Sequence, residues 1–144
     1  MKESRAATLA SDLYQRWIDA CRSYSPKESC GIVIGRYEID TATIVTTDFA
    51  FIRNAAADPL TSFAFDPADW VRAWYDAQRS SQMIVGVFHS HPDGSIVPSA
   101  ADTAGRISWG SYWIIGLADT DSRIAVYMPA ASSQWRKLPL QIHA

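Results

Sequence analysis

Apolar residues first recur at helical spacing: Leu9, Leu13, Tyr14, Trp17, Ile18 and Cys21 fall on one face and predict an amphipathic helix. Tyr24-Ser25-Pro26 is a turn signal that ends it. The pattern then changes. Residues 29–37 and 41–52 are rich in β-branched and aromatic side chains, and the short polar connection between them predicts a hairpin. A loop over 53–62 leads into a short strand, Phe63-Ala64-Phe65. Asp66-Pro67-Ala68-Asp69 then opens a helix, with an Asp cap, Pro at the first helical position and a second acid near the positive end of the dipole. Trp70, Val71, Trp74 and Tyr75 form its apolar stripe, which reads as core.

Residues 83–88 are almost continuously apolar, as expected of a strand buried on both faces, and two histidines follow at its end. After a turn-rich loop, a short helix is predicted from Asp102 to about Ser108. Residues 111–118 form a second buried strand, and 122–128 pair with it through the Asp119-Thr120-Asp121 turn. The tail, 134–142, adds an edge strand, because Pro139 cannot donate to a central ladder. The fold class is therefore α/β (α+β), a mixed, mostly antiparallel sheet flanked by helices. No repeat or linker interrupts the chain, so one domain over residues 1–144 is expected.

Composition narrows the function. A chain of 144 residues can build a hydrophobic core, and 48% hydrophobic against 19% charged residues excludes disorder. A net charge of −2 and a pI near 5.8 argue against nucleic acid or an anionic membrane as partner. The apolar runs are strand-sized, and the N-terminal stretch lacks a signal-peptide core, so a cytoplasmic protein is expected. Cys21 and Cys30 are too few for a disulfide framework or a four-thiolate zinc site, and read as small buried hydrophobes.

The chemistry concentrates in Val85–Asp102, VGVFHSHPDGSIVPSAAD. Side chains alternate along a strand, so His89 and His91 face the same way, about 7 Å apart at the backbone. Two such imidazoles can converge on one metal ion, and a catalytic zinc uses three protein ligands with one position left open. Asp102 offers a hard oxygen, and the turn residues Pro92, Asp93-Gly94 and Pro98 let the loop double back towards the histidines. Ser99 lies one helical turn before Asp102 and shares its face. Taken alone, Ser99 and Asp102 read better as a helix N-terminus, the serine capping and the acid favouring the dipole. His-x-His alone is equally weak. Together they lean towards a metal site. Hydrolysis also needs a general base, for which Glu28 is the best candidate, although its own context reads as a solvated glutamate before a strand.

Glu28-Ser29-Cys30-Gly31 upstream, then His89-Ser90-His91-Pro92 with seven residues to Ser99 and two more to Asp102, resembles the JAMM (JAB/MPN+) metalloproteases, whose motif is a distant Glu and H-x-H-x7-S-x2-D. The helix before the glutamate, Asn54-Ala55-Ala56 and Phe65-Asp66-Pro67 extend the likeness over roughly residues 5 to 128, to small stand-alone bacterial members. The resemblance implies a JAB/MPN, cytidine-deaminase-like architecture. It implies one zinc per chain on His89, His91 and Asp102, Glu28 as general acid/base, and Ser99 holding the water or the developing oxyanion. The implied partner is the C-terminal Gly-Gly tail of a ubiquitin-like sulfur-carrier protein, cleaved at the bond that follows. Homodimerisation is left open. The long insertions with which eukaryotic relatives grip ubiquitin have no room here.

Other classes compete. An inactive MPN binding scaffold would have lost ligands, whereas all five positions are filled here. A phage-tail hydrolase of cell-wall peptides usually carries a second peptidase domain. A zinc nucleoside deaminase needs Pro-Cys-x-x-Cys, which Cys21 and Cys30 do not supply.

Overall fold

The structure is a computed structural model that describes residues 3–106 and 109–144. In chain order it runs β1 (Ala6–Ala10), α1 (Ser11–Arg22), β2 (Cys30–Glu38), β3 (Thr43–Ile52), α2 (Pro67–Arg79), β4 (Met83–His91) and α3 (Ala100–Gly105), followed by β5 (Ser111–Gly116), β6 (Arg123–Pro129), β7 (Trp135–Leu138) and β8 (Leu140–His143). The predicted class holds: the fold is α/β, with helices on a mixed sheet of order β7-β6-β5-β4-β2-β3-β1-β8. The pairings β1·β3, β1·β8 and β4·β5 are parallel, and the other four are antiparallel.

The tail differs from the single edge strand expected. β7 and β8 flank Pro139 and occupy opposite ends of the strand order. The sheet therefore curls until both ends meet at one segment, and the Ala7 amide donates to the Pro139 carbonyl at 3.0 Å. Proline sits at the seam, where its missing N–H is not needed. This closure also accounts for β1, which the helical spacing of Leu9 and Leu13 concealed. Ala7 and Leu9 alternate inward from a strand that pairs with β3 and β8. Alanine's helix preference yielded to the ladder.

Inside the curl lies α1. Leu13, Trp17, Ile18 and Cys21 pack with Val33, Phe88, Trp113 and Ile115. The Trp17 ring lies 5.2 Å from both Phe49 and Phe88 and 5.4 Å from Trp113. α2 begins as expected, the Asp66 side chain accepting from the Asp69 amide. Its stripe does not: Val71, Trp74 and Tyr75 are 50%, 44% and 56% exposed. The face turned inward is Trp70, Ala73 and Ala77, over Ile32 and Ile34. Small alanines let the helix approach the sheet, which rotates the bulkier residues away. Phe63-Ala64-Phe65 is no strand either, making a single bridge between Phe65 and Asn54. α3 begins at Ala100, two residues before the predicted Asp102, and stops at Gly105, because Arg106 is extended; Ile107 and Ser108, the rest of the predicted span, lie outside the described residues. No helix among the described residues is long and apolar enough to cross a membrane.

Candidate metal centre

β4 carries His89 and His91 on one face, with their Nε2 atoms 2.9 Å apart. Ser90 faces the other way. There its Oγ accepts from the Ser29 amide at 2.8 Å and from Ser29 Oγ at 2.9 Å, while its own amide donates to the Ser29 carbonyl at 2.9 Å. The residue after Glu28 is thus tied to the residue between the two histidines. The chain then turns sharply at Gly94, whose φ is +89°, and passes directly over Gly116 of β5. A Cβ at Gly116 would lie 2.6 Å from the Gly94 carbonyl oxygen, so glycine is required for the loop to close.

That return delivers α3. Asp102 Oδ1 lies 3.0 Å from His89 Nε2, and Asp102 Oδ2 lies 3.0 Å from His91 Nε2. Ser99 caps the helix: its Oγ accepts from the Asp102 amide at 3.0 Å, and its amide donates to Asp102 Oδ2 at 2.8 Å. The Ser99 proton is not used in this capping box and stays available as a donor. Glu28 completes the group, since ligand-type atoms of Glu28, His89 and His91 all lie within 4.8 Å of one another. Glu28, His89, His91 and Asp102 are buried, while Ser99 is exposed at the rim.

Burial pushes the Glu28 carboxyl up to about 7, against a weaker downward pull from His91. Burial also acts on Asp102, but hydrogen bonds from His89 and His91 outweigh it and hold the carboxyl well below the usual carboxylate range. His89 is lowered, chiefly by burial. His91 is also opposed by burial, yet the Asp102 hydrogen bond and charge carry it upward.

The donor set fits a zinc ion. His91 Nδ1 lies 3.0 Å from the Ser95 carbonyl, which can only accept. The ring therefore holds its proton at Nδ1, and a neutral His91 presents a lone pair at Nε2. That lone pair then faces a carboxylate oxygen and a second imidazole nitrogen at about hydrogen-bond distance. Only a proton or a cation between them relieves the repulsion. Two imidazoles and one carboxylate suit zinc. Glu28 Oε1 is buried without a hydrogen-bond partner among the described residues.

Glu28 also links site to stability. Its folded pKa, near 7, lies above its unfolded value, so this stabilisation is complete below the unfolded pKa and lost as pH rises through 7. In metal-free protein, Glu28→Gln should therefore raise stability at pH 8 by roughly 1–3 kcal/mol and change little at pH 5, as measured by urea melts.

The family described as prokaryotic homologs of the JAB domain matches residues 10–129. The chain belongs to that family. The JAB homolog is 30% identical over 102 residues to a protein of Haloferax volcanii named "Desampylase", covering 71% of this chain and 69% of that one. It is also 30% identical over 78 residues to a Thermus thermophilus protein named "Probable TtuB-protein conjugate cleaving protease", covering 54% and 48%. The solution structure of protein DSY2949 from Desulfitobacterium hafniense superposes with a TM-score of 0.82 at 23% identity, covering 94% and 92% of the two chains, and shares the fold.

Sequence reasoning missed three supporting residues of this JAB homolog. Ser90 holds Ser29, the residue after Glu28, and the Ser95 carbonyl holds the His91 ring. Phe63 stacks on His89, 4.4 Å between centroids and 21° between planes. A lone polar residue inside the apolar β4 run was the available signal for Ser90; nothing local marks Phe63. His143, on β8, lies outside the cluster. Cys21 and Cys30 are free and buried, and burial pushes both thiols up to about 12, so neither is a nucleophile.

Proposed function

We propose that this chain hydrolyses the peptide or isopeptide bond following the C-terminal Gly-Gly of a ubiquitin-like sulfur-carrier protein. In this reading His89, His91 and Asp102 hold one zinc ion per chain, Glu28 is the general acid/base, and Ser99 donates to developing negative charge. The observation that carries the reading is the convergence of Glu28, His91 and Ser99 on a surface cleft of about 610 Å³, with His89 and Asp102 directly behind. The names of the Haloferax and Thermus relatives support the substrate class, the second describing cleavage of protein conjugates.

When bound, the ion supplies Lewis-acid polarisation. The remaining work falls to protein groups. Glu28 accepts a proton from the attacking water as its oxygen bonds to the scissile carbonyl carbon. It then delivers that proton to the nitrogen as the C–N bond breaks. A carboxyl brought near neutrality by burial can do both within one turnover. Asp102, held ionised beside its two histidine partners, would supply the anionic ligand, and the Ser95 carbonyl orients the His91 ring through Nδ1. The Ser99 hydroxyl, its oxygen engaged by the Asp102 amide, points its proton towards the carbonyl oxygen as charge grows there.

Two results test this. A carrier extended beyond its Gly-Gly should lose the extension, read by intact mass, and a last-glycine-to-valine version should not, because only glycine lets the backbone approach closely. Equal cutting of both would refute the specificity. Ser99→Ala should keep its zinc, lose roughly 1 kcal/mol of stability with the cap, and lose roughly 10²–10³ in kcat with the donor. Unchanged turnover beside the stability loss would leave Ser99 as a helix cap only.

A further inference from the structure

Glu28 is not positioned by a strand. β2 begins at Cys30, two residues later, and the Glu28 backbone bonds instead to the loop between β3 and α2. Its amide donates to the Pro59 carbonyl at 2.8 Å, and its carbonyl accepts from Asn54 Nδ2 at 2.9 Å. Asn54 has further duties. The same Nδ2 donates to the Ser62 carbonyl at 3.1 Å, while Oδ1 accepts from the Ala56 amide at 3.0 Å and the Ala64 amide at 3.1 Å. All four of these partners are backbone groups, so one half-buried amide side chain uses both its protons and both its lone pairs.

The partners divide into two sets. The Oδ1 bonds close the loop on itself, as an Asx turn at Ala56 and a clamp at Ala64. Of the two Nδ2 bonds, one stays within the loop, at Ser62, and one reaches outward to Glu28. Ser62 directly precedes Phe63, whose ring stacks on His89. Asn54 therefore joins the backbone of Glu28 to the backbone next to the ring that packs on a histidine of the cluster. Its neighbours Arg53 and Ala55 are exposed, so burying an apolar core does not account for an asparagine at this place.

We propose that Asn54 is a positioning residue for the proposed reaction: its amide fixes where the Glu28 carboxylate stands relative to His89 and His91. It touches no reacting atom. Its contribution is to the geometry of proton transfer, which requires heavy atoms within hydrogen-bond reach, and an error of about 1 Å in such placement can cost about 10²-fold in rate. The inference rests on the reading of Glu28 as the general acid/base.

Asn54→Asp separates the two sets of bonds. An aspartate keeps both acceptor bonds that close the loop and loses both donated to Glu28 and Ser62. Asn54→Ala loses all four. Both variants should bind zinc at the wild-type ratio and keep KM within about twofold, while kcat falls roughly 10- to 100-fold. In metal-free protein, a peptide covering residues 27–30 should exchange its amide hydrogens faster in Asn54→Asp than in wild type. Should Asn54→Ala fail to fold, Asn54→Asp decides alone. Wild-type kcat in Asn54→Asp, or a loss of kcat only in step with lost zinc, would overturn the assignment. Glu28→Gln run alongside separates the two readings. If it cleaves like wild type, the reading of Glu28 fails; if it is inactive while Asn54→Asp is fast, only the role of Asn54 fails.

Discussion

His91→Ala protein should emerge from purification with at least roughly tenfold less zinc than wild type. Disturbing only the groups that orient a ligand typically costs 10–100-fold in metal affinity, and removing a ligand outright should cost no less. The geometry sharpens this. His91 Nε2 sits 2.9 Å from His89 Nε2 and 3.0 Å from Asp102 Oδ2, so its ring is common to both contacts. Without it, His89 and Asp102 remain as a two-ligand remnant. The variant should still fold, because His91 is the last residue of β4 and the ladder around it is made by backbone groups. Equal zinc in His91→Ala and wild type, measured by elemental analysis on protein of equal helix and strand content, would remove His91 from the metal site. His143→Ala, on β8, should keep its zinc in full.

Glu28→Gln should do the reverse, keeping the ion and losing turnover. Glutamine preserves length and shape but cannot take up a proton, and general-base assistance is typically worth 10²–10⁴-fold. A fall of that order in kcat, with zinc content unchanged, separates proton transfer from metal binding. Glu28 also offers an oxygen within ligand range of both histidines. Loss of zinc in Glu28→Gln would make Glu28 a ligand rather than the base alone. The two carboxylates differ in what they touch: Asp102 spends both oxygens on histidine nitrogens, whereas Glu28 Oε1 has no partner among the described residues. Wild-type kcat in the variant would remove Glu28 from the chemistry.

Much of this was legible in the chain because the decisive signals are local. Alternation places His89 and His91 on one face whatever the rest of the fold does. Asp-Pro and Ser-x-x-Asp mark the starts of α2 and α3 through capping chemistry that needs only adjacent residues. Closure was not legible. β1 exists because β3 and β8 lie beside it, and β8 reaches that place only when the sheet curls round α1, a tertiary fact with no signature in Ala-Ala-Thr-Leu-Ala. The α2 stripe failed for a related reason. Periodicity says that a helix has an apolar face, but the spacing between helix and sheet decides which residues fill it: Trp70 stays inward with Ala73 and Ala77, and Val71, Trp74 and Tyr75 turn out. The support of Glu28 was hidden as well: Asn54 and Ser90 stand within the stretches that carry the resemblance, but nothing local shows that the fold brings them to the backbones of Glu28 and Ser29.

On the proposed reading, these residues form a zinc-dependent hydrolytic centre acting after Gly-Gly. The measurement that tests it most directly is the intact mass of a Gly-Gly-extended carrier. It is taken after incubation with the enzyme as purified, then stripped by a chelator, and then restored with one equivalent of zinc. The expected result is loss of the extension at the glycine carboxyl in the first and third samples and an unchanged carrier in the second. Cleavage that survives complete removal of the metal, or a carrier left intact by zinc-restored enzyme, would contradict the account.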